Sequence, residues 1–180
     1  MKNKQIILSL IIIGFLASCT SKIVYNESLR NNLDLKSINP EKLQFYIDRT
    51  VEFRREISSN STKINSGKVE YYKGKNIQII SIKSLTPGVC IRSNDSMIDI
   101  AFEKNSDAFL SFKKIKTLDS DYKIYMLSTI KNEDGKYFID YNGINYQLDE
   151  NAAEAKILIQ RKVANKENTI TKNLKGRKVK

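Results

Sequence analysis

The 180-residue chain contains no histidine and no tryptophan. The first absence removes Ser-His-Asp and Cys-His catalysis, imidazole metal sites and histidine pH switching. The second weakens any carbohydrate-stacking platform. Seven glycines and two prolines are too few for a collagenous or low-complexity chain, and 41% hydrophobic residues suffice for a core. Neither GxxxxGK[ST] nor GxGxxG occurs, which excludes both phosphate-cradling glycine loops, and no cofactor is implied. The length suits one domain or two very small ones.

Cysteine is scarce as well, with only Cys19 and Cys90. Lys2 and Lys4 precede an apolar run that ends on Leu16-Ala17-Ser18-Cys19. About a dozen apolar residues fall short of the roughly 20 needed to cross a hydrocarbon core, so residues 1–18 read as a signal peptide. The Leu16-Ala17-Ser18-Cys19 ending resembles the lipobox of bacterial lipoproteins, in which small residues let a peptidase hold the chain extended before the cysteine. That resemblance implies that Cys19 carries a diacylglyceryl group and that the mature chain is residues 19–180. At about 0.8 kcal/mol per buried CH₂, two or three acyl chains would anchor it permanently. Thr20 stands where an aspartate would resemble the inner-membrane retention signal of enterobacterial lipoproteins. Ser21-Lys22-Ile23-Val24 lacks the acidic cluster that resembles a surface-export signal. The expected location is therefore the outer membrane, lipid-anchored, on the periplasmic face. With Cys19 acylated, Cys90 has no partner in the chain, and Val89-Cys90-Ile91 reads as a buried strand.

The net charge of +11 falls to +9 once Lys2 and Lys4 are removed. Residues 161–180 carry +7 of this, from eight basic side chains against Glu167, which leaves the body nearly neutral. The expected export argues against nucleic acid as a partner for such a basic chain. Lys172, Lys175, Arg177, Lys178 and Lys180 are instead candidates for binding anionic envelope lipid or peptidoglycan, or they form a solvated end.

Between these ends, residues 20–39 are rich in asparagine and serine and read as a tether (19–39), with a weak helical pattern at Leu29, Leu33 and Leu35. Asn39-Pro40-Glu41 suits a helix cap and first turn. From there a two-residue period dominates: Val51, Phe53 and Ile57 alternate with Glu52, Arg54 and Glu56, and similar runs cover 76–82, 97–102, 109–112, 122–127 and 157–159. Asn142-Gly143 between two aromatic-rich runs is the best hairpin signal, and Pro87-Gly88 reads as a turn. About nine short strands at regular spacing predict an all-β domain over 40–160, an antiparallel small barrel or sandwich. An echo between residues 67–74 and 135–143 suggests two SH3-like barrels or simply two similar hairpins.

No catalytic or metal-binding set emerges. Asp119-Ser120-Asp121 has too few ligands for a calcium loop, and Glu52, Glu56, Asp99 and Glu103 read as solvated sheet residues. Seven tyrosines on predicted strands suit either sheet packing or a groove lining. Leu43-Gln44-Phe45-Tyr46, Arg54-Arg55-Glu56-Ile57, Thr86-Pro87-Gly88-Val89, Phe102-Glu103 and Gly176-Arg177-Lys178-Val179 together resemble a group of small Bacteroidota outer-membrane lipoproteins without an assigned activity. The resemblance covers most of 43–179 and implies an envelope location and a β-rich body, with no catalytic residue to carry over. The expected function is non-enzymatic: a periplasmic module that binds or scaffolds an envelope protein. Adhesion through the basic tail, or a carboxylate-dependent hydrolase, are the alternatives.

Overall fold

The computed structural model describes residues 21–58, 67–104, 106–117, 122–132 and 134–165. Thirteen strands and two α-helices are found among them. The first half holds β1 (Lys22–Val24), α1 (Glu27–Leu35), β2 (Gln44–Ile47), β3 (Val51–Ile57), β4 (Lys68–Tyr72) and β5 (Lys75–Ile82). There follow β6 (Pro87–Ser93), β7 (Met97–Ala101), β8 (Leu110–Lys116), β9 (Lys123–Leu127) and β10 (Ile130–Lys131). The chain closes with β11 (Tyr137–Tyr141), β12 (Ile144–Leu148), β13 (Ile157–Gln160) and the single turn α2 (Arg161–Ala164).

The strands sort into two antiparallel sheets. One has the order β1-β13-β2-β6-β7-β8-β9 and the other β10-β11-β12-β3-β5-β4. The seven-stranded sheet curls until β9 returns to its opposite edge. Asn26 bridges to Ile124 and Met126 to Lys156, while Tyr25 N donates to Ile157 O at 2.9 Å and Leu127 N to Ala155 O at 2.8 Å. These contacts close a barrel, which leaves few unpaired edges. The expected all-β barrel or sandwich is thus observed.

Alternation explains which face each strand buries. Val51 and Phe53 point inward from β3 while Arg54 and Glu56 face solvent. Opposite them stand Ile82 and Ile80 of β5 in register. The barrel interior is filled by Tyr25, Phe45, Phe112, Tyr125 and Ile157, all inaccessible to solvent, and one continuous apolar cluster joins it to the second sheet. Tyr25 meets Phe45 edge-on with ring centroids 5.2 Å apart, a favoured aromatic geometry.

Two SH3-like barrels side by side are not what the topology shows, because each sheet draws strands from both halves of the chain. The sequence echo has a local cause. Its two copies contain β4 and β11, each the first strand of a two-residue hairpin. Lys73-Gly74 and Asn142-Gly143 both adopt positive φ at the two turn positions, as a type I′ turn requires.

Three other expectations are corrected. Residues 22–35 are not tether: β1 pairs with β13, Tyr25 is a core residue, and α1 buries Leu33. The helix starts where Asn26 Oδ1 accepts from Leu29 N at 2.7 Å, so one of the asparagines that suggested a flexible segment is a cap. Pro87-Gly88 is not a turn but the start of β6. Proline is tolerated at the first residue of a strand, and the reversal occurs just before it, where Leu85 takes φ 63°. The basic end begins as structure, since α2 lies on it and Val163 and Ala164 pack on the core. The expected cap at Asn39 is present, with Asn39 Oδ1 accepting from Glu41 N. Residues 1–20, Asp119-Ser120-Asp121 and 166–180 lie outside the described residues.

The hydroxyl of Tyr25 has no hydrogen-bond partner among the described residues, although its ring is fully buried. An orphaned buried polar group costs about 1–3 kcal/mol. Tyr25→Phe is therefore expected to raise the unfolding free energy by about 1 kcal/mol. Tyr25→Ala should lower it by about 3–5 kcal/mol. Denaturant titration checks both, and an unchanged midpoint in Tyr25→Ala would return residues 21–35 to the status of a tether.

Candidate functional site

Cys19 and the five candidate cations Lys172, Lys175, Arg177, Lys178 and Lys180 lie outside the described residues, but the segments from which they leave are defined. Lys22 pairs with Gln160, Ile23 with Ile159 and Val24 with Leu158, and one step further out Arg161 N donates to Ser21 O at 2.9 Å. The two ends of the domain thus leave from one corner of the barrel. Tyr46 of β2 supports that corner: its hydroxyl accepts from Gln160 Nε2 at 2.9 Å, and Lys22 Nζ lies 4.5 Å from its ring centroid. Arg161 and Lys162 are exposed, and neither forms a salt bridge with another described residue.

Further along the same sheet, outside β6 and β7, runs a groove of about 640 Å³. Pro87, Val89, Ile91 and Phe102 supply its apolar walls, and Glu103, Lys104 and Asp107 stand at its lip. Gly88 forms the floor for a steric reason. A Cβ there would fall 2.5 Å from Ile100 Cγ2 and 2.8 Å from Phe102 Cε1.

A different surface is offered by β4, the last strand of the second sheet. All five of its residues are exposed, and among the described residues no strand covers its outer edge. Tyr71 is 76% and Tyr72 60% accessible, beside a partly exposed Val69. An edge strand presents unpaired backbone N–H and C=O groups that another chain can join.

Several other polar groups are held in place by partners. The buried carboxylate of Asp99 accepts from Arg92 Nε at 2.7 Å, from Arg92 Nη2 at 2.6 Å and from Ser111 Oγ at 2.7 Å. Glu56 pairs with Lys75 at 2.6 Å. Arg30 of α1 donates to Tyr125 OH at 2.9 Å and stacks over that ring, closing one end of the barrel. Glu27, at the start of the same helix, takes Lys114 at 2.8 Å and Lys123 at 3.1 Å, and these hydrogen bonds hold its carboxyl below the ordinary carboxylate range. Cys90 is buried, and desolvation pushes its thiol up, which suits a packing role better than a nucleophile. The tyrosines divide: Tyr125, Tyr141 and Tyr146 are core, whereas Tyr71, Tyr72 and Tyr122 are exposed. The carboxylates that a hydrolase would need are thus spread over both sheets.

Comparison with family models, curated proteins and solved structures found no match to this chain. The resemblance to Bacteroidota lipoproteins therefore rests on the sequence motifs alone. Sequence reasoning missed the joined ends, the groove and the β4 edge. The exposed apolar pair Val89 and Ile91, flanking buried Cys90, was the one local signal of the groove.

Two outcomes follow from this geometry. Gly88→Ala should cost about 1–3 kcal/mol by overpacking and should displace the Phe102 ring, which chemical shifts around residue 102 would report. Because the carboxyl of Glu27 has a lowered pKa, its contribution is complete above the ordinary carboxylate range and is lost as pH falls through the lowered value. Below about pH 5 the unfolding free energy should therefore fall more steeply in the native chain than in Glu27→Gln, as read from denaturant titrations across that range.

Proposed function

We propose that the chain is an outer-membrane lipoprotein, anchored through acylated Cys19 with its β domain on the periplasmic face, which holds a protein partner of the cell envelope and catalyses no reaction. The observation that carries this reading is the shortness of the link. Ser21 is already hydrogen-bonded to the barrel, so Cys19 lies two residues from it, at most about 7 Å of chain. A domain attached so closely cannot range through the periplasm, and its partner must meet it at the membrane.

The surface best suited to that partner is β4. Its edge, uncovered among the described residues, suits an extended segment added as a strand, in which backbone hydrogen bonds supply affinity and side chains supply selectivity. Tyr71 and Tyr72 offer large, stiff contact area of the type enriched in interfaces. A holding role rather than turnover is further supported by the engagement of the buried Asp99 carboxylate in an ion pair with Arg92 and a hydrogen bond from Ser111.

Metabolic palmitate labelling should mark the native chain and leave Cys19→Ser unlabelled, with the variant lost from the membrane fraction. An unlabelled native chain, or a Cys19→Ser variant that fractionates unchanged, removes the anchor. A photo-crosslinker substituted at Tyr72 in the native envelope should give a stoichiometric adduct with one envelope protein, abolished by Tyr71→Lys. Recovery of the lipoprotein alone in repeated trials overturns the partner reading.

A further inference from the structure

We propose that the outer edge of β4 is a self-association edge, on which β4 of a second copy of this chain pairs antiparallel about a two-fold axis through Val69 until a partner strand displaces it. The inference rests on the reading of β4 as a docking edge and deepens it, naming the occupant that the edge takes when no other strand is present.

Backbone pairing decides which groups the edge offers. Tyr72 and Lys75 flank the two-residue turn at Lys73-Gly74, and a pair in that position exchanges both of its backbone hydrogen bonds. From there the register runs without a break to Lys68 opposite Ile79. Alternation along an antiparallel ladder therefore turns the N–H and C=O of Lys68, Glu70 and Tyr72 toward β5, and those of Val69 and Tyr71 outward.

Symmetry and charge then select one register. Two copies that extend a sheet across a two-fold axis keep their faces, and residues directly opposite one another point to the same face. The axis must then pass through a residue rather than between two. An axis at Tyr71 or Tyr72 would run the pairing into the Lys73-Gly74 turn. One at Glu70 sets that carboxylate against its own copy, and one at Lys68 opposes two ammonium groups. Like charges directly across a strand pair are destabilising. An axis at Val69 instead sets Lys68 of each copy against Glu70 of the other, with Val69 against Val69 between them. Val69 is also a residue whose backbone groups face outward, so the pair on the axis exchanges both of its hydrogen bonds.

Within one copy, Lys68 and Glu70 already share a face and form an ion pair. A second copy completes an alternating square of four charges. On the other face, Tyr71 comes across from Gly67 of the second copy, which has no side chain to meet its ring. Self-pairing also covers an edge that would otherwise template aggregation. A contact made by one short strand falls below the roughly 1,200 Å² of a standard interface, so the dimer is transient and yields to a partner that buries more.

The test uses residues 19–180 purified as Cys19→Ser, which needs neither acylation nor an envelope partner. Sedimentation equilibrium should show a reversible dimer that grows with concentration. Hydrogen exchange should slow in parallel at the amides of Val69 and Tyr71, whereas those of Glu70 and Tyr72 are already protected by β5 in the monomer. Lys68→Glu and Glu70→Lys should each weaken the dimer roughly tenfold, because each sets like charges across both symmetry-related pairs. An equimolar mixture of the two variants should restore it as a mixed dimer, since every cross-strand pair is then opposite in charge. Both side chains are exposed, and an unchanged thermal midpoint at low concentration confirms that the monomer is intact. A chain that stays monomeric at every concentration overturns the proposal, and an adduct from Tyr72 to an envelope protein would then leave the docking reading standing. A dimer that either substitution leaves as strong as before overturns it as well. A dimer with the expected charge dependence, but no envelope adduct, supports self-pairing and removes the partner instead.

Discussion

The antiparallel pairing of β1 with β13 is the constraint on which the rest of the molecule hangs. It joins the opposite ends of the described chain, places Tyr25 at the centre of the barrel and supplies the seam against which β9 closes. Without it the seven-stranded sheet would be open, with Phe45, Tyr125 and Ile157 uncovered along one side. The three-residue strand is weak by itself. Its strength comes from the aromatic contact of Tyr25 with Phe45 and from α1, which carries Arg30 and Leu33 onto the barrel immediately afterwards.

The second sheet answers to a different logic. Its inner strands β3 and β5 are bound across seven registered pairs and share the apolar cluster of the barrel through Phe53 and Ile80. Its outer strand β4 contributes no buried residue. The hairpin turn at Lys73-Gly74 is what holds that strand to its neighbour, in the absence of any core contact of its own. A strand retained by backbone pairing and a turn, while exposing two tyrosines, fits a surface kept for contact rather than for stability.

Much of the fold is legible in the sequence because half-buried strands write their period directly into it. β3, β5, β7, β11 and β12 all fall where alternation or a hairpin dipeptide predicts them, as does the turn at Asn142-Gly143. Where the reading failed, the reason is physical. β1 is too short for a period of two to be seen, and its asparagine-rich surroundings carry a helix cap at Asn26 rather than a loop. Pro87-Gly88 looks like a turn because both residues favour turns. Here Pro87 opens a strand and Gly88 makes room for Phe102. The Leu16-Ala17-Ser18-Cys19 run that resembles a lipobox and the basic end are local patterns and stand out at once. That the described chain enters and leaves the barrel at one corner could not be read, because it depends on a pairing between strands far apart in the chain, and no local pattern specifies a partner that distant.

The seam also sets the order in which the molecule can be completed. Its closing strand, β13, is among the last residues of the domain to be made, and its partner β1 is the first. Loop-closure entropy makes such a non-local pairing late as well as slow. During synthesis, the earlier strands must wait as an unclosed sheet, with the apolar lining of the barrel still open. A messenger truncated shortly before β13 would yield a chain that retains nearly all the residues lining the barrel yet lacks the strand that shuts it. Such a product would be fit for proteolysis rather than for service.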